Sequence, residues 1–286
     1  MCVNFKYGAH ILILRLKIKI RSDNMNLMDA IYKRRSIRKY KTGGLSLEEF
    51  KKLDTLMKHC PKLYDHIPMD IHVIKEGEKI HALFSGIINS YTKVTAPHYL
   101  IITSEDKEGY LENVGFALEH IVLELTNLGI GTCWIGGFDK KAFFKGMIPM
   151  AENHIPVIVI AFGHPENPAQ LTEVMDVSYK RKSLKEITSG SFDADWTDVM
   201  NAVRRAPSGI NGQPWRLHKK GANIDMYTIK RSFITKPLEA MNRIDAGIAL
   251  CHLKIAAECK NKDIEIKKLD NNHIEALNYI TSIVEK

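Results

Sequence analysis

The feature that most constrains this chain is that it repeats itself. "DAIYKRRSIRKY" (Asp29–Tyr40) and "DVSYKRKSLKEI" (Asp176–Ile187) share Asp, Tyr, Lys, Arg and Ser at matching positions. "CPKLYDHIPMDIH" (Cys60–His72) and "APSGINGQPWRLH" (Ala206–His218) share both prolines and the terminal His. "GFALEHIVLEL" (Gly115–Leu125) and "GIALCHLKIAA" (Gly247–Ala257) share Gly, Ala, Leu and His, after a shortening of the second copy. Three matches in one order point to a duplicated unit. Two copies are too few for a solenoid, so the expected arrangement is two related lobes forming an intramolecular pseudo-dimer.

Each copy reads the same way. A basic helix opens it, and a second helix follows, "LSLEEFKKLDTLMKH" (Leu45–His59) or "DWTDVMNAVRRA" (Asp195–Ala206), apolar at helical spacing. A Pro-framed loop then leads into strands, "MDIHVIK" in the first copy and "WRLHKK" and "IDMYTIK" in the second. A long apolar helix comes next, 114–128 and about 238–258, and a strand closes each copy, Ile155–Gly163 and Asp263–Leu269. The class this predicts is α+β, with helices around a central, mostly antiparallel sheet. The lobes are expected at 25–190 and, shorter, at 191–286. Residues 1–24 read as an extension without a catalytic role. Their "ILILRLKIKIR" (Ile11–Arg21) alternates apolar and basic residues as a strand would, and charge breaks it too often for a signal peptide.

The five cysteines (Cys2, Cys60, Cys133, Cys251, Cys259) are odd in number and form no CxxC pair. That pattern favours a reducing, cytoplasmic setting over a disulfide framework or a zinc site. No apolar run approaches the roughly 20 residues of a membrane-spanning helix. The net charge of +8 suits an acidic partner, either nucleic acid, a membrane surface or a phosphorylated small molecule. A solvated Lys-rich surface accounts for most of it. The one dense basic cluster, "YKRRSIRKYK" (Tyr32–Lys41), has only Tyr32 and Tyr40 as aromatic partners, a poor nucleic-acid surface.

Three stretches could carry chemistry. In "RRSIR", Arg34, Arg35, Ser36 and Arg38 offer forked donors and a hydroxyl suited to a phosphate, or else form a solvated helix end. "LGIGTCWIGGF" (Leu128–Phe138) has Trp134 where GxGxxG needs its third glycine, which argues against a Rossmann site. Its glycines let backbone approach a flat ligand, or simply make a cap and a tight turn. "APSGINGQPW" offers Ser208, Asn211 and Gln213 to the edge of a heteroaromatic ring, or is a Pro-ordered turn with Trp215 in the core. His72, His120, His218 and His252 fall on repeat positions and read as structural rather than metal-ligating. No carboxylate pair, GxSxG or HExxH stands out.

Together "RRSIRKY", "GIGTCWIGGFD" and "APSGINGQPW", with "GHPE" (Gly163–Glu166) and "YKRKSLKEI", resemble the signatures of FMN-dependent nitroreductases over roughly residues 25–286. The resemblance implies that Arg34, Arg35, Ser36 and Arg38 grip the FMN phosphate, helped by Arg181 and less surely Lys182. It implies that Trp134, Ile135, Gly136 and Gly137 present backbone to flavin N5. It assigns Pro207, Ser208, Gly209 and Asn211 to the isoalloxazine edge, and Asn89 to a ring contact. The implied reaction takes a hydride from NAD(P)H through the flavin to a nitroaromatic, a quinone or a similar acceptor, with the cofactor carrying the chemistry. No catalytic side chain is named by it. Family members are usually homodimers with the Pro-Ser loop soon after the basic motif. Here that place holds "PKLYDHIPM" and the intact loop sits in the second copy. The chain therefore resembles a single-chain pseudo-dimer branch in which a monomer suffices. A flavin-binding sensor without turnover is the alternative.

Overall fold

The computed structural model describes residues 26–84, 94–136, 147–174, 180–270 and 274–286. In chain order these are α1 (26–33), α2 (Leu47–Lys58), β1 (Met69–Ile74), α3 (Glu78–Phe84), β2 (His98–Glu105), α4 (Tyr110–Asn127), β3 (Gly131–Ile135) and β4 (His154–Gly163). There follow α5 (Leu184–Ile187), β5 (Thr188–Ser189), α6 (Ala194–Val203), β6 (Trp215–Lys220), β7 (Asn223–Ile229), α7 (Glu239–Cys259), β8 (Ile264–Lys267) and β9 (Leu277–Glu285). The first sheet runs β1-β2-β4-β3 and the second β6-β7-β9-β8, one order used twice, with β5 added outside β6. All pairings are antiparallel except the short parallel one between β5 and β6. The α+β class holds, with the strands divided into one sheet per lobe.

Helices α4 and α7 bind the lobes together. Both are buried along most of their length, polar residues such as Glu112, Glu119, Asp245 and His252 included. They cross so closely that a Cβ on Gly115 would lie 2.1 Å from the Ile244 carbonyl oxygen, and one on Gly247 would lie 2.1 Å from that of Glu112. The same sequence offset separates Gly115 from Gly247 and Glu112 from Ile244, so the contact is reciprocal. Beside the crossing, Arg243 donates a bidentate pair to the buried Glu112 at 2.6 and 2.9 Å. One apolar cluster runs through both lobes, joining Val114, Leu118 and Ile121 to Ile248, Leu253, Trp196 and Trp215. At about 1.5–3 kcal/mol per buried large side chain, a shared core of this kind keeps the two lobes from being independent units.

Two of the three sequence matches have structural counterparts. Strands β1 and β6 begin at Met69 and Trp215, in the register that aligns His72 with His218. The long helices align through their glycines. Of the first match, the second copy is described only from Lys180 onward. Residues 26–33 are helical, whereas Lys180 has a positive φ of 56° and Ser183–Glu186 is only a capping box on the single turn α5. The chain from Arg181 onward then crosses to the second sheet, where Thr188 pairs with Leu217.

The strand read at 263–269 is also displaced in role. It is β8, an edge strand in the place β3 takes in the first sheet, and the closing strand of the second lobe is β9. That strand escaped the sequence reading because its buried centre is part polar, with Thr281 and Ser282 enclosed between neighbours. No helix among the described residues is long and apolar enough to cross a membrane.

Candidate functional site

The basic motif leaves α1 and runs along the edge of β3. Ile37 N–H donates to the Thr132 carbonyl at 2.8 Å, and Ser36 bridges Thr132. Gly131 permits this docking, since a Cβ there would fall 2.6 Å from Cγ1 of Ile37. The basic and glycine motifs are therefore neighbours. Arg34 is 3% exposed, and its Nε makes no hydrogen bond among the described residues. The carboxylate beside it, Glu119 on α4, is fully buried and stands 3.6 Å from that Nε. Both Glu119 oxygens are already engaged: Oε2 accepts from Trp134 Nε1 at 3.1 Å, and Oε1 lies 2.9 Å from His252 Nε2.

The second-lobe loop folds against the segment 180–182. Arg181 Nη1 donates to Asn211 Oδ1 at 2.8 Å and Nη2 to the Arg205 carbonyl at 3.2 Å. Asn211 Nδ2 donates to the Lys180 carbonyl, and Gln213 Oε1 accepts from Lys182 N–H. The Ser208 hydroxyl accepts from Gln213 N–H at 3.0 Å. Ser208, Asn211 and Gln213 thus staple the loop in this structure, as in the Pro-ordered turn that the sequence offered beside a ring edge. Trp215 is fully buried in the core. The loop's turn places Ile210, Asn211 and Gln213 at positive φ of 49°, 56° and 46°, a conformation that is strained for a β-branched residue. Asp245 of α7 anchors it from beneath, accepting from Gly209 N–H with both oxygens at 3.1 Å. Burial pushes the Asp245 carboxyl up to about 8, with the Gly209 bond and Arg231 pulling the other way.

Cations from both lobes meet here. Burial lowers the Arg34 guanidinium, and the nearby Glu119 only partly offsets it. Burial and then the positive charges of Arg34, Arg205 and Arg204 bring Arg181 down to about 10. The Arg205 guanidinium lies 4.2 Å from the Tyr32 ring centroid, joining the loop's root to α1. A cluster of crowded, buried cations with an orphaned guanidinium nitrogen is the donor set of an anion site. A surface cleft of about 390 Å³, lined by Asn26, Asp29, Lys33, Glu124 and Asn127, includes none of these residues.

Arg34, Ser36, Trp134, Ile135 and Gly136 therefore share one corner, and Arg181 links it to Pro207, Ser208, Gly209 and Asn211. Arg35 turns toward Glu173, 3.9 Å from its carboxylate, and Arg38 is exposed with Nη1 on the Ser36 carbonyl. Asn89 and Gly137 lie outside the described residues. The sequence reading missed Glu119, Asp245 and the role of His252. Their signal was a charged or polar side chain on the apolar stripe of a long helix. Among the described residues no group of His, Cys, Asp and Glu is arranged to hold a metal ion.

A family model described as "Putative TM nitroreductase" matches residues 26–257. The chain belongs to this nitroreductase family. A crystal structure of a "putative nitroreductase" from Thermotoga maritima aligns with 92% of this chain and 94% of its own, at 19% identity and a TM-score of 0.58, and shares the nitroreductase fold. Two curated proteins named "Putative NADH dehydrogenase/NAD(P)H nitroreductase" match about half of this chain. The one from Archaeoglobus fulgidus is 23% identical over 155 residues, 51% of this chain and 89% of its own length. The one from Methanothermobacter thermautotrophicus is 26% identical over 155 residues, 50% of this chain and 80% of its own.

Proposed function

We propose that the chain is an FMN-dependent oxidoreductase that holds one flavin between its two lobes and takes electrons from NAD(P)H. The observation that carries this reading is Arg34, buried and without a hydrogen-bonded anion, next to Arg181, with the Pro-Ser loop of the other lobe tied to that same Arg181. A phosphate monoester would give Arg34 a hydrogen-bonded anion and relieve the repulsion among the arginines. Arg34, Arg181, Ser36 and Arg38 would hold that phosphate, and the backbone of Trp134–Gly136 would face the ring across from Pro207–Gly209. Bound there, FMN would supply a hydride acceptor at N5. The names of the relatives support NAD(P)H as donor and a nitro compound as acceptor; a quinone or similar small molecule is the other acceptor we propose.

The duplication supports a single pocket and a monomer able to work alone. At the pseudo-symmetric place the first-lobe loop carries Tyr64, whose ring packs on Gly109, where a Cβ would lie 2.7 Å from it. In the second lobe the sizes are exchanged: Gly209 packs on Met241. The Lys268–Glu108 and Arg243–Glu112 ion pairs also lie on α4 and the segment leading into it. Purified protein, once denatured, should release one equivalent of FMN per chain, and NAD(P)H should bleach the bound flavin. Arg34→Ala should weaken FMN by roughly tenfold to a hundredfold. A chain that takes up no FMN, or that binds two equivalents, would defeat the reading. Bound flavin that no nicotinamide reduces would favour a sensor.

A further inference from the structure

We infer that a proton held between His252 and Glu119 belongs to the anion site, because it leaves Arg34 as uncompensated positive charge. The premise that the anion is the FMN phosphate rests on the reading above; the proton does not. His252, on α7, is fully buried and has a hydrogen-bond partner on each ring nitrogen. Nδ1 lies 3.1 Å from the Ala202 carbonyl oxygen, at the C-terminal end of α6. Nε2 lies 2.9 Å from Glu119 Oε1. Both neighbours are acceptors. A carbonyl oxygen has no proton to give, so Nδ1 must donate. Nε2 then faces a carboxylate, and a second proton must lie between them, on the ring or on the acid. The helix C-terminus, the negative end of its dipole, places that proton on the imidazole. The pair is therefore neutral overall.

Other groups around Glu119 are cations or neutral donors. Arg34 comes from the basic motif and Trp134 from β3, while Arg181 and Cys251 on α7 also feel its charge. His252 itself meets only Glu119 and the α6 carbonyl as polar partners among the described residues. If the shared proton left, a bare carboxylate would neutralise Arg34 and compete with any bound anion. His252 and Glu119 are thus positioning residues. They belong to opposite lobes and act through Arg34.

The test combines spectroscopy of the wild-type chain with FMN titrations. In 15N-detected spectra of His252 in the apoprotein near neutral pH, both ring nitrogens should carry protons; an unprotonated Nδ1 would overturn the inference. Glu119→Gln removes the need for the proton, since its amide can donate to a neutral His252 and still accept from Trp134. His252→Gln leaves Glu119 anionic. His252→Gln should therefore weaken FMN by about tenfold or more, at an effective dielectric near 20. Adding Glu119→Gln to it should restore most of that loss. A double variant no tighter than His252→Gln would overturn the inference, because a purely structural role predicts added damage instead. If the wild type binds no FMN at any pH, the flavin reading fails, and the spectra still judge the proton.

Discussion

Replacing Asp245 with Asn should make the chain more stable in alkali relative to wild type, by an amount the structure sets. Asp245 is 3% exposed and accepts the Gly209 N–H with both oxygens. Burial raises its carboxyl from 3.8 to about 8, so folding draws a proton onto it throughout that interval. A group whose folded-state value is raised stabilises the fold below its unfolded value and loses that contribution as pH climbs through the folded one. Between about pH 5 and pH 8 the loss is close to 2.7 pH units of linkage, or about 4 kcal/mol. The first lobe already contains the substitution. Asn113, at the same offset on α4, accepts Tyr64 N–H with Oδ1 at 2.8 Å. An amide therefore holds the equivalent loop without ionising. The measurement is urea unfolding of apo wild type and Asp245→Asn at several pH values. The stability difference should swing toward the variant by about 4 kcal/mol from pH 5 to pH 8. A difference that stays constant within about 1 kcal/mol would refute the reasoning, since it would mean Asp245 ionises as an ordinary surface acid.

Other expectations follow from close contacts. Gly247→Ala or Gly115→Ala should each destabilise by about 1–3 kcal/mol despite the better helix propensity of Ala, and the double variant by less than their sum, because one separation of the helices relieves both clashes. Strict additivity in unfolding experiments would argue against a shared crossing. Ile210→Gly should raise the thermal midpoint by relieving the positive φ, since Ile210 is 64% exposed and forfeits little burial; a lower midpoint would contradict the strain. Asn211→Ala should impair FMN binding while Asp65→Ala, in the first-lobe loop, leaves it intact. Equal damage in a flavin titration would count against a single pocket.

Much of the architecture was legible in the sequence because it depends on local, periodic chemistry. The 3.6-residue apolar stripe marked α2 and α6, and the long apolar runs marked α4 and α7. The alignment of Gly115 with Gly247 showed the repeat before the reason for those glycines was visible. That reason, two backbones touching across the lobe boundary, exists only when both helices are in place. The same holds for the segment 180–189. Its residues look like a second basic helix, yet only the single turn α5 is helical, hydrogen bonds to Asn211 and Gln213 hold 180–182 against the loop, and the chain then joins the other lobe's sheet. Strand β9 was hidden for a related reason, since a polar centre is tolerated in a buried strand only when neighbours supply its partners. The proposed anion site divides in the same way. Its arginines and its loop could be named from their residue types. The pairing of Arg34 with Arg181, and the proton shared by Glu119 and His252, required the tertiary structure. Electrostatics depends on distance and burial, and folding sets both between residues more than a hundred positions apart.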